Sequence, residues 1–438
     1  MDSPNRPPAR DSLDQPAEAD LLIVGGGFTG LWSALRAVER DPAAKVLLIE
    51  ADRIADHASG RNGGFCEATI THGAANGRAR WPDEYATLHE LGVRNLGEIV
   101  TTIERYDIDC GLARGGVLTV ATRDHEIADL GPGTQGFLDT TAVRKLVDSP
   151  TYLAGRHSPD VGVLVDPARL AWGLADTAER LGVRLAEHTR LVSLHDRGGH
   201  VEAATDRLVI KAKKVIIATN AFRNPLRRLR LPVVPVYDYV LATEPLSDEQ
   251  LKAIGWDPAM GVTDSGTRFH YYRITPDRRI LWGGYDAVYH FGRSIRAQHY
   301  DRRETFDKLA RHFARTFPQL AGIRFTHRWS GVIDTSSRFC AFFGTAHHGR
   351  TAYATGFTGL GVGASRFAAD VMLDLLDGRP TERTRLEMVR RKPLPFPPEP
   401  LAWIGIQITQ WAMRRQDRTG RRNAWLRVLD RFGMGFDS

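Results

Sequence analysis

The sequence predicts an α/β fold in which a Rossmann-type dinucleotide-binding domain is assembled from discontinuous segments and carries an inserted β-rich (α+β) domain. Three observations predict it: a strand, glycine turn and helix near the N terminus, apolar strands that return later in the chain, and a β-rich stretch between them. A chain of 438 residues is long enough for two or three domains.

A β-α-β unit lies at the start of the predicted domain. Residues 21–24 are an apolar run, which predicts a buried parallel strand. Residues 29–40 carry apolar side chains at helical spacing and end at an Asp-Pro pair, and residues 45–49 predict a second strand. This order is typical of half of a dinucleotide-binding fold.

The turn between the first strand and the helix matches the fingerprint GxGxxG at Gly25, Gly27 and Gly30. The first glycine allows a tight turn, the second lets the backbone approach a pyrophosphate, and the third lets helix and strand pack closely. Glu50, twenty residues past Gly30, is placed to accept hydrogen bonds from ribose hydroxyls. A glycine-rich surface loop is the alternative, which the flanking strand and helix disfavour.

The remaining chain alternates helical and strand-like segments. Asp166 and Pro167 are a typical N-cap and first residue of a helix. Helices are predicted at residues 83–106, 167–181, 302–317 and 360–376, with two short helices beyond residue 400. Strands are predicted at residues 117–121, 184–186, 191–194, 208–211, 215–218, 236–243, 269–274, 280–282, 325–333 and 351–355.

Domain boundaries follow from this order. The nucleotide-binding domain is assigned residues 19–80, 150–225 and 326–378, and the substrate domain is assigned residues 81–149 and 226–325. Residues 1–18 have almost no apolar content and predict a disordered tail without a signal peptide. Residues 393–438 begin with a proline-rich connector and form a basic C-terminal tail.

Charge and cysteine content exclude several classes of function. Residues 379–438 hold thirteen Arg and Lys against six Asp and Glu, a surplus equal to the whole net charge of +7, so a nucleic-acid-binding surface on the body is not expected. Cys66, Cys110 and Cys340 are far apart and show no metal-ligand spacing, which predicts no metal site and a reduced, cytoplasmic protein. No apolar run is long enough for a membrane helix.

Six further stretches occur in the order of one known family. They are ASGRNGG at 58–64, VDPARL at 165–170, LGV at 181–183, ATNA at 218–221, ATEPL at 242–246 and YATGFTGLGV at 353–362. With the fingerprint, the chain resembles the D-amino-acid-oxidase-like FAD-dependent oxidoreductases over residues 19–378, and within them the γ-glutamylputrescine oxidase and glycine oxidase type. The resemblance implies FAD as the cofactor.

The resemblance also implies which residues bind FAD. The loop at residues 59–64 would pass close to the isoalloxazine, and the loop at residues 356–362 would bring backbone N–H groups and a helix N terminus to the pyrimidine end of the flavin. The predicted FAD-binding residues are Gly25, Gly27, Phe28, Thr29, Gly30, Glu50, Ala51, Ser59, Arg61, Asn62, Gly63, Gly64, Ala218, Thr219, Gly356, Thr358, Gly359, Leu360 and Gly361.

The resemblance implies oxidation of the C–N bond of a primary or secondary amine by hydride transfer to flavin N5, followed by hydrolysis of the imine. The glycine-oxidase branch holds an α-carboxylate with two arginines, and Ile333 and Gly359 occupy their places here, which favours an amine over a free α-amino acid. Asp334 is a candidate for facing a cationic substrate, with a turn carboxylate as the favoured alternative. Arg273 is a weaker candidate for holding a carboxylate, with solvent exposure as its alternative.

Aromatic and titratable side chains on the β-rich strands are candidates for the substrate pocket. The wider set is Tyr237, Tyr239, His270, Tyr271, Tyr272 and Trp329. Strand alternation places Tyr237 with Tyr239, and His270 with Tyr272, on one face of their strands. We predict Tyr237, His270, Tyr272 and Trp329 as catalytic residues, with ordinary packing as the alternative for each.

The electron acceptor stays open, since the strand at residues 280–283 lacks the lysine that the sarcosine-oxidase branch carries before a glycine. The acceptor is therefore molecular oxygen or another compound. His57 and Cys340 do not match the register of covalent flavin attachment in relatives, so FAD is predicted to be non-covalent.

Three alternatives remain: an amino-acid oxidase or dehydrogenase of the same family, a flavoprotein subunit of an electron-transfer complex, and, more weakly, an NAD-dependent enzyme. The C-terminal tail is predicted to pack on the body, with membrane contact as the alternative.

Overall fold

The structure is a computed structural model that describes residues 5–434. Its helices are α1 (Phe28–Arg40), α2 (Ala58–Arg61), α3 (Gly73–Arg80), α4 (Tyr85–Arg105), α5 (Thr140–Leu146), α6 (Pro167–Arg180), α7 (Asp248–Ile254), α8 (Arg303–Thr316), α9 (Gly361–Asp377), α10 (Glu382–Arg385), α11 (Glu387–Arg390), α12 (Leu401–Thr419) and α13 (Ala424–Arg431). Its strands are β1 (Ala17–Val24), β2 (Val46–Ile49), β3 (Phe65–Glu67), β4 (Val117–Ala121), β5 (Phe137–Leu138), β6 (Ala154–Ser158), β7 (Gly162–Leu164), β8 (Arg184–Ala186), β9 (Leu191–Asp196), β10 (Val201–Thr205), β11 (Val209–Ile217), β12 (Val233–Thr243), β13 (Gly261–Asp264), β14 (His270–Ile274), β15 (Ile280–Gly284), β16 (Phe325–Ser336), β17 (Phe342–Ala346) and β18 (Thr351–Thr355).

The first sheet is assembled from three separated parts of the chain. Its strand order is β17-β18-β11-β1-β2-β8, and the β9–β10 hairpin is attached to β11. The central strands β18, β11, β1, β2 and β8 run parallel, while α1 packs against both α6 and α9. The apolar residues 21–24 of β1 are buried, as a parallel strand covered by helices requires. The predicted Rossmann-type domain built from discontinuous segments is confirmed.

The second sheet has the order β16-β12-β15-β14-β13-β4-β6-β5. Its longest pairing is antiparallel between β12 and β16, from Val233 opposite Ser336 to Thr243 opposite Phe325. On one face, α8 closes an aromatic core that includes Tyr239 of β12. This is the predicted β-rich α+β region, and its other face contributes to the cavity described below.

Two predicted domain boundaries are wrong. The strands β6 and β16 were assigned to the nucleotide-binding domain, and both lie in the second sheet. β16 pairs with β12 over nearly its whole length, and β6 pairs with β4. Local sequence patterns identify a strand but do not reveal its pairing partner, so these assignments followed the chain order instead of the hydrogen bonds.

The predicted disordered N-terminal tail is wrong for residues 5–18, while residues 1–4 lie outside the described part of the chain. Leu13 is buried, and its N–H donates to Thr189 Oγ1 at 3.0 Å. The Arg10 guanidinium pairs with Asp176 and Glu179, at 2.6 and 2.7 Å. One apolar anchor and one ion-paired arginine therefore hold a segment whose composition is typical of disorder.

After the proline-rich connector, the C-terminal tail forms a nineteen-residue helix, α12, where the first of two short helices was predicted. Buried Asp417 of α12 accepts a hydrogen bond from the Thr267 N–H at 3.0 Å and one from Arg268 Nε at 3.2 Å. The prediction that the tail packs on the body is therefore confirmed for residues 401–434. Among the described helices, none is long and apolar enough to cross a membrane.

Candidate active site

The fingerprint turn is shaped by contacts that only glycine permits. Gly25 has φ of +114°, and a Cβ there would lie 2.4 Å from the Ala218 carbonyl oxygen. A Cβ on Gly30 would lie 1.8 Å from the Gly25 carbonyl oxygen. Both distances are far below van der Waals contact, so β1, β11 and α1 can meet this closely only because both side chains are absent.

Glu50 lies directly after β2 and faces the fingerprint turn. Its carboxylate accepts hydrogen bonds from the Gly26 N–H at 2.7 Å and from the Asp52 N–H at 2.9 Å. Burial raises the pKa of Glu50, while these two hydrogen bonds act in the opposite direction. The predicted ribose-binding carboxylate is thus held at the end of β2 by backbone groups on both sides.

The small-residue loop after β2 is fastened to the fingerprint helix. Ser59 Oγ accepts a hydrogen bond from the Phe28 N–H at 2.9 Å. Asn62 Oδ1 accepts one from the Gly64 N–H at 2.8 Å, and Asn62 Nδ2 donates to the Ser59 carbonyl at 2.9 Å. Arg61 donates to the Ser330 carbonyl of β16 at 3.3 Å, so the loop also joins the two sheets.

Asp334 organises the glycine-rich loop before α9. It is 2% exposed, and its carboxylate accepts hydrogen bonds from Thr355 Oγ1 at 3.0 Å and from the Phe357 N–H at 3.1 Å, as well as from the Gly356 N–H. Its carbonyl accepts the Thr358 N–H at 3.0 Å. Asp334 is therefore a loop-forming carboxylate, the favoured alternative, and not a group free to face a substrate cation.

Burial raises the pKa of Asp334 to about 6, so its charged form is disfavoured in the folded state. The stabilising contribution of its neutral form is present at low pH and is lost as the pH rises through about 6. We expect the wild type to lose about 1.4 kcal/mol of unfolding free energy relative to Asp334→Asn between about pH 5 and pH 8. Urea unfolding of both proteins with saturating FAD measures this difference, and a difference independent of pH would contradict it.

One continuous cavity of about 2010 Å³ joins these elements. Its volume exceeds the roughly 300–1,000 Å³ of an ordinary small-molecule pocket. Sixteen of the nineteen predicted FAD-binding residues line it: Gly25, Gly27, Phe28, Thr29, Glu50, Ala51, Ser59, Arg61, Asn62, Gly63, Ala218, Thr219, Thr358, Gly359, Leu360 and Gly361. The other three, Gly30, Gly64 and Gly356, lie behind this surface and shape its backbone.

An aspartate–tyrosine pair projects into the cavity from the second sheet. Asp238 of β12 accepts a hydrogen bond from the Tyr271 hydroxyl of β14, and both residues line the cavity. The Tyr271 ring lies against Gly63, where a Cβ would be 2.6 Å from the ring carbons. Burial raises the pKa of Asp238 to about 6, and burial beside Asp238 raises the pKa of Tyr271. The shared proton therefore resides on Tyr271, and Asp238 is an anion at neutral pH.

A model of the family described as DAO, FAD dependent oxidoreductase, matches residues 20–375. The chain belongs to this family. It is 31% identical over 387 residues to the gamma-glutamylputrescine oxidoreductase of Escherichia coli, covering 84% of this chain and 86% of that protein. It is 27% identical over 407 residues to the probable oxidoreductase OrdL of Haemophilus influenzae, covering 86% and 87%. The crystal structure of glycine oxidase from Geobacillus kaustophilus shares the fold, with a TM-score of 0.69 at 20% identity over 84% of this chain and 96% of that chain.

The cavity of this FAD-dependent oxidoreductase fits its cofactor. The glycines leave room for a pyrophosphate at the N terminus of α1, and Glu50 stands where ribose hydroxyls would bind. The N terminus of α9 lines the same cavity at Gly361, where its partial positive charge would meet the pyrimidine end of the flavin. The individual FAD contacts stay predictions, which the continuous cavity supports.

Two of the predicted catalytic residues, His270 and Tyr272, do not line the cavity, whereas Tyr237 is among its lining residues. All three side chains are buried, and the Tyr237 and Tyr272 rings belong to the aromatic core of the second sheet. His270 Nδ1 bonds Asp264 Oδ2 at 2.5 Å, and Nε2 bonds His312 Nδ1 at 2.9 Å. The alternation along each strand is as predicted, but Tyr239 and Tyr272 pack in the core, while Asp238 and Tyr271 on the opposite face line the cavity.

Trp329 and Arg273 also lie outside the cavity lining. The indole Nε1 of Trp329 donates to the Arg61 carbonyl at 2.8 Å, so this side chain supports the small-residue loop from behind. Arg273 is 3% exposed and lies against Gly64, where a Cβ would be 3.2 Å from its Cζ. It is therefore neither a solvent-exposed arginine nor a residue placed to hold a substrate carboxylate.

The two residues that sequence reasoning missed as catalytic candidates are Asp238 and Tyr271. Tyr271 belongs to the wider set of aromatic candidates, and Asp238 lies between two tyrosines. The sequence signal for Asp238 is its position in the middle of a largely apolar strand. An unpaired charge is costly there, so a functional partner is expected.

The two sites considered for a covalent flavin link differ in their access to the cavity. Cys340 is fully buried and is not among the lining residues, whereas His57 lines the cavity with its Nε2 3.0 Å from Asp52 Oδ2. We expect acid precipitation of the purified protein to leave the yellow flavin in the supernatant. A yellow pellet would identify a covalent bond, and His57→Ala would then show whether this histidine forms it.

Proposed function

We propose that the protein oxidises the C–N bond of a primary or secondary amine, using FAD as the electron acceptor. The observation that carries the proposal is the Asp238–Tyr271 pair, which lines the cavity beside Gly63 of the predicted flavin-binding loop. A carboxylate that is anionic at neutral pH on the wall of a cavity is suited to a cationic ligand.

The chemistry of amine oxidation gives each of these residues a role. Bound FAD would accept a hydride from the carbon next to the amine nitrogen. Before that transfer the amine must lose its ammonium proton, and Asp238, with a pKa raised by burial to about 6, binds the ammonium group and accepts its proton. The Tyr271 hydroxyl holds the Asp238 carboxylate in place, and its ring covers Gly63.

The cavity supports an amine over a free α-amino acid. Ile333 and Gly359, which replace the two arginines of the glycine-oxidase branch, both line the cavity. Arg268 is one of several arginines in the lining, and it is already engaged, since its guanidinium is 3.2 Å from Asp417 and donates to the Tyr285 hydroxyl at 2.8 Å. The relative from Escherichia coli bears the name of an amine, gamma-glutamylputrescine, which agrees with this proposal.

Anaerobic addition of single amines and α-amino acids to the FAD-loaded protein tests the proposal. Bleaching of the flavin absorbance by at least one amine, with no bleaching by α-amino acids, is the expected result. Bleaching by amino acids alone would instead support an amino-acid oxidase or dehydrogenase. No bleaching by any compound would support the flavoprotein subunit of an electron-transfer complex.

The same samples, once bleached, identify the class of acceptor. Reoxidation by air with release of hydrogen peroxide would indicate an oxidase. Since β15 has no lysine beside Gly283, we propose slow reoxidation by oxygen, and an artificial electron acceptor should then restore the flavin colour faster.

A further inference from the structure

Helix α12 leaves an apolar stripe exposed. Leu401, Ile404, Ile408 and Trp411 recur at spacings of three and four residues, which places them on one face, and they are 61, 44, 40 and 52% exposed. Trp403 is 39% exposed beside this stripe, and its ring meets that of exposed Phe291 with centroids 6.4 Å apart. Exposed apolar patches of this kind on a folded surface indicate an interaction site.

The opposite face of α12 is firmly attached, so this exposure belongs to the docked helix. Ala402 is buried on that face, and buried Asp417 binds Arg268. Ile406 and Met413 on the inner side line the large cavity. A helix that buries one apolar face and exposes another is not explained by packing on its own body.

The surface that continues the stripe is strongly basic. Arg415 and Arg418 follow Trp411 at the same helical spacing, Arg414 lies beside them, and all three are exposed. Helix α13 adds a second exposed set, in which Val428 and Phe432 stand next to arginines 427 and 431. The tail surface, defined by the stripe of α12, the arginines of its last turns and the outer side of α13, thus combines apolar and cationic groups.

The carboxylates in the described part of the tail do not neutralise these arginines. Within residues 393–434, Glu399 accepts hydrogen bonds from Tyr289 and from the Trp403 N–H, Asp417 pairs with Arg268, and Asp430 pairs with Arg422. In the described part of the chain, none of the exposed arginines 414, 415, 418, 421, 427 and 431 forms a salt bridge. Their charge is available to an external anion.

We propose that the tail surface docks on an anionic lipid bilayer. Tryptophan and isoleucine side chains would enter the boundary between headgroups and acyl chains, and the arginines would contact lipid phosphates. A second copy of the chain fits less well, because a two-fold contact through this surface would bring the same uncompensated arginines from both copies together. An anionic bilayer supplies both the apolar and the anionic partner.

Sedimentation of the FAD-loaded full chain with sucrose-filled vesicles tests the proposal. Vesicles of phosphatidylglycerol and phosphatidylcholine in equal parts should bring down the protein, pure phosphatidylcholine much less, and added salt should weaken the binding. The variant Trp403→Ser, Ile408→Ser, Trp411→Ser should lose at least about tenfold in binding. The variant Arg414→Gln, Arg415→Gln, Arg418→Gln should lose about fivefold per arginine on anionic vesicles alone.

A matched control substitutes three exposed apolar residues elsewhere. Val93→Ser, Val161→Ser, Leu181→Ser replaces side chains that are 48, 44 and 40% exposed, and it should bind vesicles like the wild type. FAD content and thermal unfolding show whether each variant is folded. If the apolar variant does not fold, the arginine variant still tests the proposal. Failure of the wild type to sediment with anionic vesicles would overturn the proposal. So would a wild-type dimer on gel filtration that the apolar variant dissociates, since the surface would then join two copies.

Discussion

Gly30→Ala should yield a protein that folds but is isolated largely without FAD. The new Cβ would lie 1.8 Å from the Gly25 carbonyl oxygen and 3.3 Å from Ile23 Cγ2, so α1 must move away from β1. Overpacking of this kind costs about 1–3 kcal/mol. When this cost destabilises the backbone geometry that binds FAD, it weakens FAD binding about 5- to 150-fold. Titration of the apoprotein with FAD, followed by flavin fluorescence, measures the change.

Gly97→Ala is the matched control for this substitution. Gly97 lies inside α4, and a Cβ there meets no atom within 4 Å of the described chain. Alanine at an open helix position should keep the FAD affinity unchanged and raise the unfolding free energy by roughly 0.5–1 kcal/mol. Equal FAD affinity in Gly30→Ala and wild type would mean that the fingerprint turn does not shape the cofactor site.

The parts of the fold that the sequence predicts well are those defined by local chemistry. The GxGxxG turn, the carboxylate at Glu50 and the capped start of α6 each depend on residues close together in the chain, and the structure has all three. The aspartate cap of α6 is explicit, since Asp166 accepts hydrogen bonds from the N–H groups of Ala168 and Arg169 at 3.0 Å.

The parts that sequence misses depend on pairing between distant segments. Periodicity places Tyr237 and Tyr239 on one face of β12, but it does not say which face meets the core, and it gives no sign that Asp238 on the other face lines the cavity. Asp334 shows the same limit. Its role arises from hydrogen bonds to the loop at residues 355–358, about twenty residues further along the chain.

The substitution with the largest expected effect on turnover is Asp238→Asn. If Asp238 binds the amine and accepts its proton, loss of the charge should lower kcat/KM for the amine by about 30-fold or more, which corresponds to the roughly 2 kcal/mol minimum for removing one partner of a buried charge pair. In the wild type, kcat/KM should fall as the pH drops below about 6, where Asp238 becomes protonated. The variant should lack this acid limb.

Tyr271→Phe separates the role of Asp238 from general damage to the cavity. Phenylalanine keeps the ring against Gly63 but removes the hydroxyl that lowers the pKa of Asp238, so the acid limb should move to higher pH. Asp264→Asn is the control, because Asp264 also lines the cavity but is bonded to His270 and Tyr272 of the core. The acid limb of kcat/KM in this variant should stay where it is in the wild type.

A rate of anaerobic flavin reduction in Asp238→Asn equal to that of the wild type would show that the amine is held elsewhere in the cavity. An acid limb that moves only in Tyr271→Phe and disappears only in Asp238→Asn would assign the proton to this pair. A purely structural role for either residue would change the rates without changing their dependence on pH.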